Sequence, residues 1–197
     1  MALKGQTTTA DYLEWDVAMN LIRQLYRDGN YRLSVYFGCG CFWGLRFSDL
    51  SVLSWRQMLS TDTLTITEKK TGKRRTIHIN KEIQAHIQAC HDKLGIKDDS
   101  EPYLLNRFGN IMSIQMVNRH LKTIKAKYHL KVNHISTHLT RKTFGRHVVD
   151  MAGPNAEMAL IKLAELFNHV GSGTSVTRRY LGLRAEELQE VYDSLQF

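Results

Sequence analysis

Apolar positions recur at helical spacing over residues 12–27, with Asp11 placed to cap the run and Asp28, Gly29 and Asn30 to end it. The next segment, YRLSVYFGCGCF at residues 31–42, is apolar on nearly every side. That predicts a buried helix whose glycines allow close packing. Gly44 permits a sharp change of direction, and Ser48 or Asp49 can open a short helix to Ser54. The period then switches. LTITE at 64–68 and RRTIHI at 74–79 alternate like strands, and the glycine-containing KKTGK between them makes the pair a hairpin.

Helical spacing returns behind Asn80, a cap for a helix to residue 94. Residues 95–112 are rich in turn formers and hold Pro102. Ser113 opens a helix to residue 128, with Met116, Leu121 and Ile124 inward and its lysines in solvent. The last third predicts a helix over 137–151 stopped by Gly153 and Pro154, and a second over 155–167. A loop through His169 and Gly173 then leads to a short helix carrying Tyr180, and an acidic amphipathic helix follows over 184–195. No repeat or low-complexity segment interrupts the series. The fold class is mainly α with a small antiparallel β-hairpin, as one domain over residues 12–197 behind a flexible lead-in of residues 1–11.

At 197 residues and 43% hydrophobic, the chain can bury a sizeable core. Lys plus Arg number 27 against 19 Asp plus Glu, a formal +8 that favours a polyanionic partner, nucleic acid first. No stretch is apolar and long enough to span a bilayer, and the N-terminus lacks the core of a secretory signal, so the expected compartment is the cytoplasm. Cys39, Cys41 and Cys90 are odd in number and lack metal-ligand spacing, so they read as reduced, buried thiols with no zinc site.

Four segments concentrate the polar chemistry. Arg46 follows Gly44 at the mouth of a short helix, with Asp49 near enough to pair with it. Lys70 sits at the hairpin tip among Lys69, Lys73, Arg74 and Arg75. His138 and Arg141 stand three apart on one helical face beside Lys142. Tyr180 follows His169, a glycine-rich loop, and the pair Arg178 and Arg179. Singly, each has a plain reading: a paired surface arginine, a solvated basic turn, a common i, i+3 pair, a tyrosine bridging core and solvent.

In combination and in this order, GLRFSDLSVLSW, KKTGKRRTIHI, STHLTRKTFGRH and LAELFNHVGSGTSVTRRYLG resemble the tyrosine recombinases of the phage-integrase family, in particular integrases of bacterial mobile elements. The resemblance runs from about residue 12 to the end and implies the family's catalytic-domain fold. It implies that Arg46 and Arg141 hold the non-bridging oxygens of a scissile phosphate, that Lys70 protonates the departing 5′ oxygen, and that His138 acts on the tyrosine proton. His169 would donate a hydrogen bond to the phosphate, and Tyr180 would attack phosphorus to give a 3′-phosphotyrosyl link and a free 5′ hydroxyl. These residue types suit the task. Phosphoryl transfer spreads charge over equatorial oxygens, which planar guanidinium forks can accept. Lysine and histidine can exchange protons where arginine cannot. With that much fixed charge, no metal or other cofactor is required. Lys69, Lys73, Arg74, Arg75, Lys142, Arg178 and Arg179 are further DNA-contact candidates, and Asp49 is expected to orient Arg46.

The chain departs from the family pattern in places. The loop Gly171–Ser172–Gly173 is longer than usual, which bears on where the phenol points. Lys142 stands where many relatives carry histidine. Tyr192, the other late tyrosine in a polar helix, lacks the basic flank. Residues 1–11 leave no room for the N-terminal core-binding domain of many members, so binding to a single DNA site is expected to be weak and salt-dependent. The resemblance implies a tetramer on two DNA duplexes, with a monomer off DNA, in the bacterial cytoplasm on the nucleoid. The helix over 184–195 can dock on a neighbour or fold back. Two other readings stay open: a type IB topoisomerase that relaxes DNA, and a DNA-binding regulator with an idle site.

Overall fold

The computed structural model describes residues 11–60, 62–169, 173–183 and 193. Its centre is α2 (Tyr31–Trp43), buried along almost its whole length as its uniform apolarity requires. Around it pack α1 (Trp15–Arg27), α5 (Lys81–Leu94) and α7 (Leu139–Ala152). Glycines allow this. A Cβ on Gly40 would lie 2.4 Å from Thr140 Oγ1 on α7.

α1 begins at Trp15, later than the pattern predicts, and Asp11 is not its cap. The Asp11 carboxylate instead accepts the backbone N–H groups of Asn133 (2.5 Å) and His134 (3.3 Å), and its own N–H donates to His134 (2.9 Å). A distant loop outcompetes the local cap, so Asp11 is tied down rather than part of the lead-in. Ala18, Leu21, Ile22 and Leu25 form the buried stripe of α1.

Gly44 ends α2 with φ +57°, its N–H on the Gly40 carbonyl. That left-handed turn costs a side chain about 1 kcal/mol or more and glycine little. The helix predicted to run to Ser54 is two pieces, α3 (Phe47–Leu50) and α4 (Trp55–Met58). Ser54 explains the break: with Gln57 it forms a reciprocal capping box that starts a new helix. The strands β1 (Thr63–Thr67) and β2 (Arg74–His78) pair antiparallel, Leu64 opposite Ile77 and Ile66 opposite Arg75. Leu64, Ile66 and Ile77 face the core.

Asn80 caps α5 through the Glu82 N–H (2.7 Å), and Ser113 caps α6 (Ile114–Lys127) through Met116 (3.2 Å). Val117, rather than Met116, joins Leu121 and Ile124 inside. α7 starts two residues after Thr137, leaving His138 at its N-cap position. After a 3-10 turn (Gly153–Asn155), α8 (Ala156–Leu166) and α9 (Ser175–Leu181) close a second apolar cluster of Val149, Leu160, Leu163, Phe167 and Leu181. All three cysteines are buried and free. The predicted helix over 184–195, Tyr192 included, lies outside the described residues except for Asp193, as do Gly171 and Ser172.

Candidate active site

Arg46 leaves the α2–α3 corner in extended backbone just before α3. Its Nη1 donates to Glu68 Oε2 at 2.9 Å and its Nη2 to the Phe167 carbonyl at 2.8 Å. Arg141 reaches the same place from the first turn of α7. Its side chain is buried, its Nη1 donates to the Gly44 carbonyl at 2.5 Å, and its guanidinium stacks 3.9 Å above the Phe167 ring. The left-handed turn at Gly44 therefore also supplies the acceptor for Arg141. Burial, joined by Arg46 and Arg75, pulls the Arg141 pKa down to about 10 against the raising influence of Tyr180. It stays charged at neutral pH.

Tyr180 faces this pair from α9. Its Oη lies 3.4 Å from His138 Nδ1, and the rings of Phe167 and His169 stand edge-on to it with centroids 5.6 and 5.5 Å away. Lys142 Nζ sits 5.2 Å from the phenol centroid. His169 Nδ1 hydrogen-bonds Thr177 Oγ1 at 3.0 Å. The turn that aims this histidine is Asn168, in left-handed backbone at φ +54° directly after α8, a conformation asparagine tolerates at a helix end. Burial pushes the Tyr180 phenol up to about 12, with Arg141 and Arg46 pulling against it. Burial and then Arg141, Arg46 and Lys70 lower His169 to about 4. His138 keeps much surface open, yet desolvation of its ring and the charges of Arg141 and Lys142 lower it too. The ground state is thus a neutral phenol between two neutral imidazoles, ringed by guanidinium charge.

Residues 18–187 match the model of the phage integrase family. The chain belongs to that family. It is 28% identical over 172 residues to a probable integrase/recombinase of Bacillus subtilis, YoeC, covering 87% of this chain and 88% of that one. It is 30% identical over 158 residues to the tyrosine recombinase XerC of Myxococcus xanthus, covering 77% of this chain but only half of that protein. Solved structures share the fold: the XerA recombinase (TM-score 0.67, 18% identity, 98% of this chain and 68% of that one) and the lambda integrase catalytic core (TM-score 0.60, 15% identity, 82% and 93%).

In this phage-integrase chain, five of the six expected catalytic residues converge: Arg46, His138, Arg141, His169 and Tyr180. Lys70 stays exposed on the hairpin turn, near enough for its charge to act on both histidines. Asp49 does not hold Arg46. Its Oδ1 accepts the Lys69 N–H at 2.9 Å, which fixes the hairpin turn, and the carboxylate on Arg46 is that of Glu68. Arg75, expected on the DNA-facing surface, turns inward. Its Nη2 donates to the Trp43 carbonyl at 2.7 Å and its Nη1 lies 3.9 Å from Glu68 Oε1. Lys142 is buried against the phenol, and Arg178 pairs with Glu157, whereas Lys69, Lys73, Arg74 and Arg179 are exposed.

Sequence reasoning missed Glu68, Phe167, Asn168 and Thr177. A signal for the first existed. Side chains alternate along a strand, so Glu68 continues the inward face of Leu64 and Ile66, and Arg75 shares that of Ile77. A charge on an apolar strand face asks for a buried partner. Phe167, Asn168 and Thr177 had no comparable mark.

Proposed function

We propose that this chain is a site-specific DNA recombinase that cleaves and rejoins double-stranded DNA through Tyr180. The phenol oxygen attacks the scissile phosphorus, the bond to the 5′ oxygen breaks, His138 takes the phenol proton, and Lys70 gives a proton to the leaving oxygen. The products are a 3′-phosphotyrosyl link and a free 5′ hydroxyl, and attack by a hydroxyl from another strand reverses the step. Arg46 and Arg141 hold the non-bridging oxygens, and His169 donates to one of them. The two arginines and Lys70 supply positive charge where the transition state gathers negative charge.

The observation that carries this reading is the 3.4 Å approach of Tyr180 Oη to His138 Nδ1 beside the paired arginines. A phenol near pKa 12 is a poor nucleophile at pH 7 until a base takes its proton, and a histidine kept neutral is such a base. The XerH recombinase and the lambda integrase, whose folds this chain shares, were solved bound to DNA. By the same reading the active assembly is a tetramer on two duplexes, formed from monomers, on the bacterial nucleoid.

The test is incubation with nicked duplex carrying the ends of the protein's own element, followed by SDS electrophoresis. A covalent adduct is expected from the wild type and none from Tyr180→Phe. An undiminished adduct from that variant, or none from the wild type, sinks the mechanism. Strand exchange between two marked duplexes separates recombination from simple relaxation.

A further inference from the structure

We infer that Glu68 is a positioning residue of the cleavage site, one carboxylate that locks Arg46, the hairpin turn bearing Lys70 and the segment bearing His169 into a single arrangement before DNA arrives. The inference rests on the strand-cleavage reading above and adds a residue that acts through Arg46 rather than on the substrate.

Glu68 is an acid whose side chain is only 1% exposed, set among Arg46, Arg75 and Arg141. A single oxygen, Oε2, accepts three hydrogen bonds: from Arg46 Nη1 at 2.9 Å, Thr71 Oγ1 at 2.9 Å and Asn168 Nδ2 at 2.6 Å. The three donors come from the α2–α3 corner, the hairpin turn and the α8–α9 turn, segments that nothing local in sequence brings together. The backbone of the same residue closes the turn below Lys70, its N–H on the Lys73 carbonyl and its carbonyl on the Gly72 N–H. Its second oxygen has no hydrogen bond and faces Arg75 Nη1 at 3.9 Å. Burial alone would raise this carboxyl. The hydrogen bonds from Thr71 and Arg46 and the charges of Arg46 and Arg141 outweigh it and hold the pKa below the usual carboxylate value.

Arginine carries five N–H groups in a fixed fork. Arg46 uses one on Glu68 and one on the Phe167 carbonyl, so its remaining donors stay available to a phosphate while its direction is set. An arginine without that anchor must be ordered during the reaction, and preorganised charge is what lowers the barrier.

Glu68→Gln keeps the shape and an acceptor oxygen but removes the charge. On saturating nicked DNA, its adduct should form at least ~10-fold more slowly in single turnover, while DNA affinity changes by less than about twofold. The deciding readout is a double-mutant cycle. Placed on Arg46→Lys, Glu68→Gln should slow cleavage by a clearly smaller factor than it does in the wild type, because part of its effect passes through Arg46. Equal slowing in both backgrounds, a loss confined to affinity, or unchanged cleavage overturns the inference. Should Glu68→Gln not fold, Thr71→Ala with Asn168→Gly, where glycine keeps the left-handed turn, frees the carboxylate from two of its three donors and must give the same non-additive pattern. If the wild type forms no adduct, the strand-cleavage reading falls. NMR of the Arg46 guanidinium still decides the anchor: exchange protection lost in Glu68→Gln supports it, and protection unchanged refutes it.

Discussion

Tyr180 and His169 fix how the site responds to pH. The phenol, held near 12 by burial, should show no ionisation by ultraviolet titration below about pH 11 in the free protein, so activity at neutral pH cannot come from a preformed phenolate. A Tyr180-specific signal titrating near pH 8 would contradict the packing described. His169 sits at about 4 in the fold against 6.5 unfolded. Above pH 6.5 both states are neutral and the histidine carries no penalty. As pH falls toward 4 the unfolded chain takes up the proton first, so stability declines through that window. His86, His138 and His147 shift the same way, so the measurement is a difference. Between pH 6.5 and 4.5 the urea midpoint of His169→Gln should fall less than that of the wild type. Identical slopes would mean that His169 is solvated.

At the scale of elements, the site depends on how closely α2 approaches α7. A Cβ on Gly44 would fall 2.3 Å from a Phe144 ring carbon in a left-handed backbone, and one on Gly40 would fall 2.4 Å from Thr140. Either alanine substitution should cost roughly 1–3 kcal/mol, a few degrees in Tm for each kcal/mol at this size. Gly38→Ala meets the flexible tip of Ile83 and, at ordinary contact distance, the His86 ring, and should cost less than either. Gly44→Ala should also slow cleavage, because that carbonyl holds Arg141, whereas Gly40→Ala should act mainly on stability. Equal losses in all three would mean that the helices re-space freely. Much of this level was legible in the chain. An all-apolar run with glycines announces a central helix, and alternation with a basic glycine turn announces a hairpin. The start of α7 and the break at Ser54 were less so, because caps compete over one or two residues. The convergence of Arg46 on Phe167, 121 positions away, has no local mark at all. Motif spacing named the actors, and only tertiary packing showed that Glu68, not Asp49, holds the first arginine.

At the scale of the molecule, the charge of +8 is unevenly used. Arg46, Arg75 and Arg141 turn inward and each donates to protein groups, whereas Lys69, Lys73 and Arg74 stand in solvent on the hairpin that carries Lys70. These two sets should separate in salt dependence. Each exposed cation that meets a DNA phosphate contributes about 0.9 to the slope of log affinity against log salt. Lys73→Ala and Arg74→Ala should therefore each flatten that slope by nearly one unit while leaving Tm close to the wild type. Arg75→Ala should do the reverse. It removes the donor on the Trp43 carbonyl and leaves Glu68 less compensated in a buried site, so Tm should drop with little change in slope. Duplex titrations across a salt series, paired with melting curves, would read both quantities for the same three variants. If neither Lys73→Ala nor Arg74→Ala changed the slope, the hairpin face would not lie on the phosphate backbone. Lys70 would then have to reach its leaving oxygen from a protein surface that DNA does not cover, which would rule out the placement of Lys70 as the acid.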